Sequence, residues 1–320
     1  MAHAVESVLS AEAYRDQIEI LIVDDGSQDD TARIADQYEQ RYPGTVRAIH
    51  QENAGHGGAV MTGLRHASGR YFKVVDSDDW LDEKELPGVM ETLSQVDVDL
   101  FVCNYVYEKA GKKHKHAMRC RHAFPRDRVF AWQDTRRFRT GQYMLMHSMI
   151  YRTELFLKCG LDLPLHTFYV DELYAYVPLT AVRTLYYRDV NLYHYFIGRE
   201  DQSVKEDVMI RRIDQALKVN RLMITQVDLA AVADERQRNY LRNFLEIVTT
   251  VSSILLIKSG TEENLRKKRD LWAFLREQKP ALYRELRRRP FGTVVHLPGR
   301  AGRMTALCGY RISRLLFGYN

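Results

Sequence analysis

Three acidic groups in this sequence combine the residue types and the spacing that metal binding and proton transfer require. They are Asp24-Asp25, Asp76-Ser77-Asp78-Asp79 and Asp171-Glu172. Each group follows an apolar or aromatic run that favours a buried strand, whereas Asp itself is depleted from strands. We therefore expect the carboxylates to lie just beyond strand ends, which is where open α/β sheets bind ligands.

The second group is the candidate metal site. Its three carboxylates fall within four residues, directly after the apolar residues 71–75. Carboxylates this close repel one another unless a cation shares them, and hard oxygen ligands favour Mg²⁺ or Mn²⁺ over softer-ligand metals. The alternative is a solvated acidic turn in which Asp78 or Asp79 caps the following helix. Taken alone, the residues give the two interpretations equal weight.

The three groups could divide the chemistry of group transfer between them. A Mg²⁺ or Mn²⁺ ion held by Asp78 would neutralise a diphosphate leaving group, and Asp171 could accept a proton from an attacking hydroxyl. The alternative for Asp171 is a helix cap or a surface acid. Its aromatic neighbours Phe168, Tyr169 and Tyr174 favour a partly buried setting, where an idle carboxylate would be costly. The combination suits transfer from a nucleotide-activated donor.

Alternating strands and helices must position these acids. The pattern predicts strands at 18–23, 46–50, 71–75, 98–104, 184–188 and 192–196, and helices at 2–13, 31–42, 83–95, 134–160, 245–257 and 299–318. This order predicts an α/β fold with a doubly wound, mostly parallel sheet and a helical C-terminal extension. The glycines of the loop at 53–58 do not form G-x-G-x-x-G, and no G-K-[ST] occurs, which argues against dinucleotide oxidoreductases and P-loop kinases.

Composition and charge limit the class of protein and its partners. The chain has 320 residues, 45% of them hydrophobic, so it can bury a full core. A net charge of +5 is only mildly basic, and no nucleic-acid partner is expected. Four scattered cysteines, no visible signal peptide and no apolar run of about 20 residues predict a cytoplasmic protein whose membrane contact is peripheral.

Basic residues concentrate at 109–139 and 265–314, which indicates a surface that faces an anionic partner. The segment 299–318 has apolar residues on one side and Arg303 and Arg314 towards the other, as in basic helices that lie on anionic membranes. The alternative is a helix docked on the protein body. The expected domains are a catalytic domain at 1–205, a helical extension at 206–290 and a basic amphipathic tail at 291–320.

Several motifs taken together resemble the nucleotide-sugar half of family 2 glycosyltransferases with the GT-A fold. They are Ile-Val-Asp-Asp-Gly-Ser at 22–27, Asn-Ala-Gly-His-Gly-Gly-Ala at 53–59, Ala-Ser-Gly-Arg-Tyr-Phe at 67–72 and Val-Asp-Ser-Asp-Asp at 75–79. Residues 169–171 and 193–204 are similar to the acceptor half in a bacterial, cell-envelope branch of that family. The resemblance covers roughly residues 1–205.

The resemblance implies a role for each matching residue. Asp25 would contact the nucleotide base, usually uridine, and Asp76 the ribose, while Asp78, with Asp76 as the other acid of a D-x-D motif, would bind the metal. Gly57 of the glycine loop would join the donor site. Arg199 and Gln202 would meet the donor diphosphate or the acceptor, although a surface turn is an equal alternative for these two. Asp171 would be the general base of an inverting transfer, with Glu172 as its rival.

The resemblance has two departures and leaves two alternatives. The family's first strand has no counterpart before Met1, and the common Ala-Arg-Asn after the glycine loop is Ala59-Val60-Met61. We expect a metal-dependent transfer from a nucleotide diphosphate sugar, preferably a UDP-sugar, to a lipid-linked or cell-envelope glycan. The alternatives are a magnesium-binding phosphorelay receiver, since residues 22–25 and Asp76 also suit that class, and a catalytically silent sugar-binding scaffold.

Overall fold

The computed structural model describes residues 1–109, 116–138, 142–197 and 205–317, with residues 314–317 described by their backbone alone. The chain forms two compact units. The first comprises Met1–Phe138 with Met144–Gly198, and the second comprises Arg139–Tyr143 with Arg199–Asn320. The predicted site residues Arg199 and Gln202 lie outside the described residues, so their roles stay predictions. The other predicted site residues belong to the first unit.

The first unit begins with a parallel strand pair that ends at the first acidic group. Its elements are α1 (Ala2–Leu9), β1 (Ile20–Asp24), α2 (Thr31–Arg41) and β2 (Val46–His50). β1 and β2 pair in parallel from Ile20 opposite Val46 to Asp24 opposite His50. Val5 and Leu9 of α1 are one helical turn apart and pack with Ile22 in one core cluster. Both predicted strands are therefore confirmed.

A larger sheet forms the rest of this unit. The elements that follow β2 are α3 (Gly55–His66), β3 (Tyr71–Phe72), β4 (Trp80–Leu81), α4 (Leu86–Gln95), β5 (Leu100–Lys109), β6 (His116–Met118), β7 (Val129–Phe130), β8 (Met149–Arg152), α5 (Thr153–Lys158), α6 (Asp171–Tyr176) and β9 (Leu185–Ile197). The strand order is β3-β8-β5-β9-β4, with β6 beside β5 and β7 beside β9.

Pairing in this sheet is mixed. β5 and β9 are parallel, whereas the other five pairs among the described strands are antiparallel. The α/β class is confirmed, but the strands pair less often in parallel than the alternating pattern indicated. β8 contributes to this difference, because it lies between β3 and β5 and is antiparallel to both.

Two local predictions were wrong. The helix expected at 134–160 contains strand β8, and only α5 is an α-helix among its described residues. Met149, Ile150 and Tyr151 are all buried, and an apolar run buried on both faces looks the same in a strand as in a helix. The two strands expected at 184–196 are the single strand β9. Its turn-like Asp189 accepts hydrogen bonds from Asn104 Nδ2 (2.9 Å) and the Tyr187 hydroxyl (3.0 Å) instead of forming a turn.

The described part of the second unit is helical, as expected. Its helices are α7 (Glu206–Arg211), α8 (Ile213–Gln226), α9 (Glu235–Ser259), α10 (Glu262–Gln278), α11 (Pro280–Arg288), α12 (Pro290–Val294) and α13 (Gly299–Phe317). By length and composition, α9 could cross a membrane, but 72% of its apolar stretch is buried inside the protein, as in the core helix of a soluble protein. The proposed boundaries at 205 and 290 stay predictions.

Candidate active site

The acidic turn after β3 is held in place by strand β9. The Tyr193 hydroxyl donates to Asp79 Oδ2 (2.6 Å) and accepts from the backbone N–H of Asp76 (3.2 Å). The backbone N–H of Phe196 donates to Asp79 Oδ1 (2.8 Å). Asp79 is buried, while the side chain of Asp76 keeps 26% exposure. β9 therefore fixes which carboxylate points inward and which one reaches the solvent.

Asp76, Asp79 and His147 form a group that could hold a metal ion. One ligand atom from each side chain lies within 4.8 Å of the other two. The side chain of His147 is only 5% exposed, and neither ring nitrogen has a hydrogen-bond partner within the described part of the chain. Buried polar atoms rarely lack a partner. Two carboxylates and an unpartnered imidazole are a donor set that fits a divalent cation such as Mn²⁺.

The charges in this group also suit a cation. Burial lowers the pKa of His147 to about 4 despite the negative charge of Asp76, so the imidazole is neutral and could act as a ligand. Burial raises the pKa of Asp79 to about 8, and the charges of Asp76 and Asp78 add to this effect. A bound cation would relieve the repulsion between these carboxylates. Asp78 is half-buried and is not part of the close group, so its role as a ligand stays a prediction.

Lys73 positions the segment that carries His147. Its Nζ donates to the carbonyl oxygen of His147 (2.7 Å) and lies 4.8 Å from the centre of the Tyr193 ring. Burial lowers the pKa of Lys73 to about 8 against the negative charges around it. The lysine therefore connects Tyr193, which holds the acidic turn, with His147, although 74 residues separate Lys73 from His147 in sequence.

His56, in the first turn of α3, faces all three acidic groups. Its Nε2 lies 3.0 Å from Asp76 Oδ1. Partial loss of hydration opposes a positive charge on the ring, but the hydrogen bond to Asp76 and the charges of Asp76, Asp171 and Asp25 raise the pKa of His56 to about 9. The imidazole is therefore a cation at neutral pH. The same cation lowers the pKa of Asp76 although burial acts in the opposite direction.

Asp25 joins the end of β1 to the start of α3. Its carboxylate accepts hydrogen bonds from Gln51 Nε2 (2.7 Å) and from the backbone N–H groups of Ala54 (2.7 Å) and Gly55 (2.8 Å). These bonds satisfy donors that the first turn of a helix leaves unpaired. Asp25 thus has a structural role here, and its predicted contact with a nucleotide base stays a prediction.

The glycine loop packs against the segment that leads to Asp171. Gly55 has a φ of +77°, and a Cβ atom there would lie 2.9 Å from His166 Cα. Gly57 is buried, and its Cβ would lie 3.1 Å from both Leu163 Cβ and the carbonyl oxygen of Pro164. These contacts explain the glycines by close packing. The predicted place of Gly57 in the donor site stays a prediction.

Asp171 and Glu172 begin α6 and have different surroundings. Burial raises the pKa of Asp171, which His56 lowers and Asp76 raises. Burial also raises the pKa of Glu172 well above its usual range, and the negative charge of Asp171 raises it further. Asp171 therefore shares the electrostatic environment of Asp76 and His56. The preceding Tyr169 has a left-handed φ of 68°, which is unusual for an aromatic residue.

Sequence patterns had not indicated functions for His56, Lys73, His147 or Tyr193. Three of them lie in or beside motifs that drew attention to the site: the glycine loop, the 71–79 run and the 193–204 segment. His147 lies in a Met-rich stretch without a motif, and no signal in the sequence marks it. Its place beside Asp79 depends on β8, which the pattern had not predicted.

Comparisons with known proteins bear on the family and the fold of this chain. Residues 1–155 match the family model described as glycosyl transferase family 2. The putative glycosyltransferase EpsH of Bacillus subtilis (strain 168) is 37% identical over 99 residues, which are 30% of this chain and 28% of EpsH. The chain thus aligns with less than a third of that relative's length.

Solved structures are similar over almost the whole chain. S. aureus TarS 1-349 in complex with UDP-GlcNAc has a TM-score of 0.71 and 17% identity, over 99% of this chain and 88% of that chain. The mannosyltransferase PcManGT of Pyrobaculum calidifontis, in complex with GDP-Man and Mn²⁺, has a TM-score of 0.50 and 15% identity, over 98% and 82% of the two chains. At these identities, the likeness shows the fold.

Proposed function

We propose that this chain, whose residues 1–155 match glycosyl transferase family 2 and whose fold is the GT-A fold that its motifs predicted, transfers a sugar from a nucleotide diphosphate donor to a hydroxyl group with inversion. The supporting observation is that Asp25, Asp76 and Asp171, from three separate segments, all act on the charge of His56. Acids from three separate segments, of which Asp171 begins helix α6 and does not follow a strand, therefore surround one position, as a donor, a leaving group and an acceptor require.

The metal would be held by Asp76, Asp79 and His147, with Asp78 of the D-x-D motif as a further ligand. Once bound, Mg²⁺ or Mn²⁺ supplies positive charge that stabilises a departing nucleotide diphosphate. Lys73 and Tyr193 keep the ligands in position through the hydrogen bonds that they make to His147 and Asp79. His56 adds a protein cation on the Asp76 side of the site.

Asp171 is the proposed general base. Its raised pKa makes the carboxylate a better proton acceptor near neutral pH than an exposed aspartate. It would take the proton of the acceptor hydroxyl as that oxygen attacks the sugar carbon and the bond to the diphosphate breaks. Asp171 is favoured over Glu172 because Asp171 shares its surroundings with Asp76 and His56.

We propose a UDP-sugar as the donor and a lipid-linked or cell-envelope glycan as the acceptor. Support for the donor comes from the motifs and from the UDP-GlcNAc bound to TarS, although PcManGT binds GDP-Man. The proposed location is the cytoplasm, with the basic helix α13 on the inner membrane surface. The receiver alternative is not favoured, since Asp76 is hydrogen-bonded to His56 and held by Tyr193.

Binding and hydrolysis of nucleotide sugars would test this proposal. We expect UDP-sugars to raise the melting temperature of the protein in the presence of Mn²⁺ and to be hydrolysed slowly to UDP, and both effects to vanish with a chelator. UDP-, GDP- and dTDP-sugars should be compared at equal concentration. The proposal fails if none of them binds with Mn²⁺ present. Binding without hydrolysis or transfer to any glycan acceptor would instead support the silent scaffold.

A further inference from the structure

Three helices of the second unit bring half-buried cations together. Trp272 of α10 contacts Tyr283 of α11 (6.2 Å between ring centres) and His296, just before α13 (4.4 Å). Lys268 precedes Trp272 by four residues and Arg287 follows Tyr283 by four, so each cation lies on the helix face that makes the contact. Lys268 and Arg287 thus lie on the facing sides of α10 and α11.

Arg303 of α13 completes the group, which we call the three-helix cation cluster (Lys268, Arg287 and Arg303). Partial burial is the largest cause that lowers the pKa of the Lys268 ammonium group to about 8. The positive charges of Arg287, Arg269 and Arg303 lower it further. Each of the three cluster residues is half-buried. Cations that repel one another in this way destabilise the fold unless an anion joins them.

No acidic side chain of the described residues compensates the cluster. Its three members have no ion pair and no side-chain hydrogen bond in the described part of the chain. Neighbouring cations of the same unit do have partners: Lys267 with Asp214 and Glu263, Arg242 with Glu285, and Arg289 with Glu246. Several half-buried basic residues of the unit are therefore paired with acids, whereas these three half-buried cations have no such partner among the described residues.

The exposed face of α13 indicates which kind of anion would bind the three-helix cation cluster. Met304 (55% exposed), Cys308 and Ile312 (57% exposed) are spaced four residues apart and form an apolar stripe open to solvent. Exposed Arg300 and Arg311 lie on the same helix. An apolar stripe with adjacent arginines is typical of helices that lie in the interface of an anionic membrane.

We propose that Lys268, Arg287 and Arg303 bind the phosphate of an anionic phospholipid headgroup. Two guanidinium groups offer paired N–H donors to phosphate oxygens, and the ammonium group adds a point charge. The Met304–Ile312 stripe would enter the acyl boundary beside the headgroup. This site specifies the residues that would make the membrane contact of the proposed function. The inference rests on the proposed function only for the location of the protein at the membrane.

Binding of the full chain to vesicles tests the site. We expect binding to phosphatidylcholine vesicles that contain phosphatidylglycerol, and the triple variant K268Q/R287Q/R303Q to lose roughly tenfold or more in affinity. The matched control is R266Q/R284Q/R300Q, which removes three exposed charges from the same three helices. Its smaller loss should disappear at high salt, whereas the loss in the cluster variant should persist, because partly buried charges are screened less.

Several results would overturn the site. Equal losses in both triple variants would show a diffuse basic surface, and no binding of the wild type would remove the membrane role. Protection of Lys268 from amine labelling by inorganic phosphate, but not by the vesicles, would assign the cluster to a soluble phosphate. The single variant Lys268→Met is the control for folding. It removes repulsion between cations and should raise the melting temperature, so a loss of vesicle binding by this variant is not due to misfolding. Hydrolysis of a soluble UDP-sugar should be unchanged in all variants, so failure of the enzyme proposal is seen separately.

Discussion

The imidazole of His56 and the carboxylate of Asp76 lie 3.0 Å apart, from Nε2 to Oδ1, and join the first turn of α3 to the acidic turn after β3. The pair places a protein cation beside a proposed metal ligand. It also lies where the family's usual Ala-Arg-Asn is replaced by Ala59-Val60-Met61, three residues farther along α3. We infer that His56 helps to hold the negatively charged donor in the absence of that arginine.

His56→Gln should therefore weaken donor binding, because it removes the positive charge that faces Asp25, Asp76 and Asp171. We expect the KM for a UDP-sugar to rise by roughly tenfold, as for the loss of one charged hydrogen bond. Steady-state kinetics with Mn²⁺ would measure it. His66→Gln at the exposed end of the same helix is the control. Equal kinetics for His56→Gln and the wild type would exclude the role.

His147→Ala should abolish tight metal binding, since it removes the neutral nitrogen from the Asp76–Asp79–His147 group. The dissociation constant for Mn²⁺, measured by calorimetry or electron paramagnetic resonance, should rise by about tenfold or more. Asp78→Asn provides the comparison, because the D-x-D motif predicts a ligand there. If only Asp78→Asn weakens Mn²⁺ binding, the close group seen in the structure is not the metal site.

Asp171→Asn should retain donor binding and lose transfer. The amide keeps the shape of the side chain but cannot accept a proton, which costs about 100-fold or more for a general base. Glu172→Gln changes the neighbouring acid and should affect transfer far less. Thermal shift with UDP-sugar and an assay of the glycan product separate the two effects. Full transfer by Asp171→Asn would remove this residue from the mechanism.

Gly55→Ala should destabilise the first unit more than Gly44→Ala does. Both glycines have positive φ angles, +77° and +83°, so both variants carry the backbone cost. A Cβ at Gly44 meets nothing within 4 Å, whereas one at Gly55 approaches His166 Cα to 2.9 Å. We expect more than about 1 kcal/mol for Gly44→Ala and a larger loss for Gly55→Ala, from urea unfolding. Equal losses would mean that the contact with His166 is easily relieved.

The His50 ion pairs predict a pH dependence of stability. The hydrogen bonds to Asp24 (3.0 Å) and Asp36 (2.9 Å) raise the pKa of His50 above its usual 6.5. His50 thus binds its proton more tightly in the folded protein than in the unfolded chain. The stabilisation that its ion pairs contribute to the folded state is complete below pH 6.5 and is lost as the pH rises through the raised pKa.

The ring of His50 is 43% exposed, so the effect is small. The difference in unfolding free energy between the wild type and His50→Gln should therefore be larger at about pH 6 than at about pH 9. A difference that grows with pH would contradict this assignment.

Patterns in the sequence predicted strands β1, β2 and β5 and the acidic turns because local signals specify them. The runs that end at Asp24 and at Asp76, and the caps and glycines around them, are short-range features. The same signals could not predict β8, since a run buried on both faces has no periodicity that separates strand from helix. They also could not show that β9 continues through Asp189, whose partner Asn104 is 85 residues away.

The candidate site residues also differ in whether a local sequence signal or a tertiary contact places them. Asp76 and Asp171 could be named from motifs, because the carboxylates follow recognisable runs. His147 could not, since its position beside Asp79 depends on Lys73 and on the path of a distant strand. Side chains that complete a site through tertiary contacts leave no spacing in the sequence.

The approach of Gly55 to His166 also bears on how such enzymes can be recombined. Backbone meets backbone at this point, so the segment before Asp171 has been fitted to one particular first turn of α3. A chimaera that takes its acceptor loop from one parent should take residues 53–58 from the same parent. An exchange that separates them would carry a steric mismatch into the first turn of α3, next to the contact between His56 and Asp76.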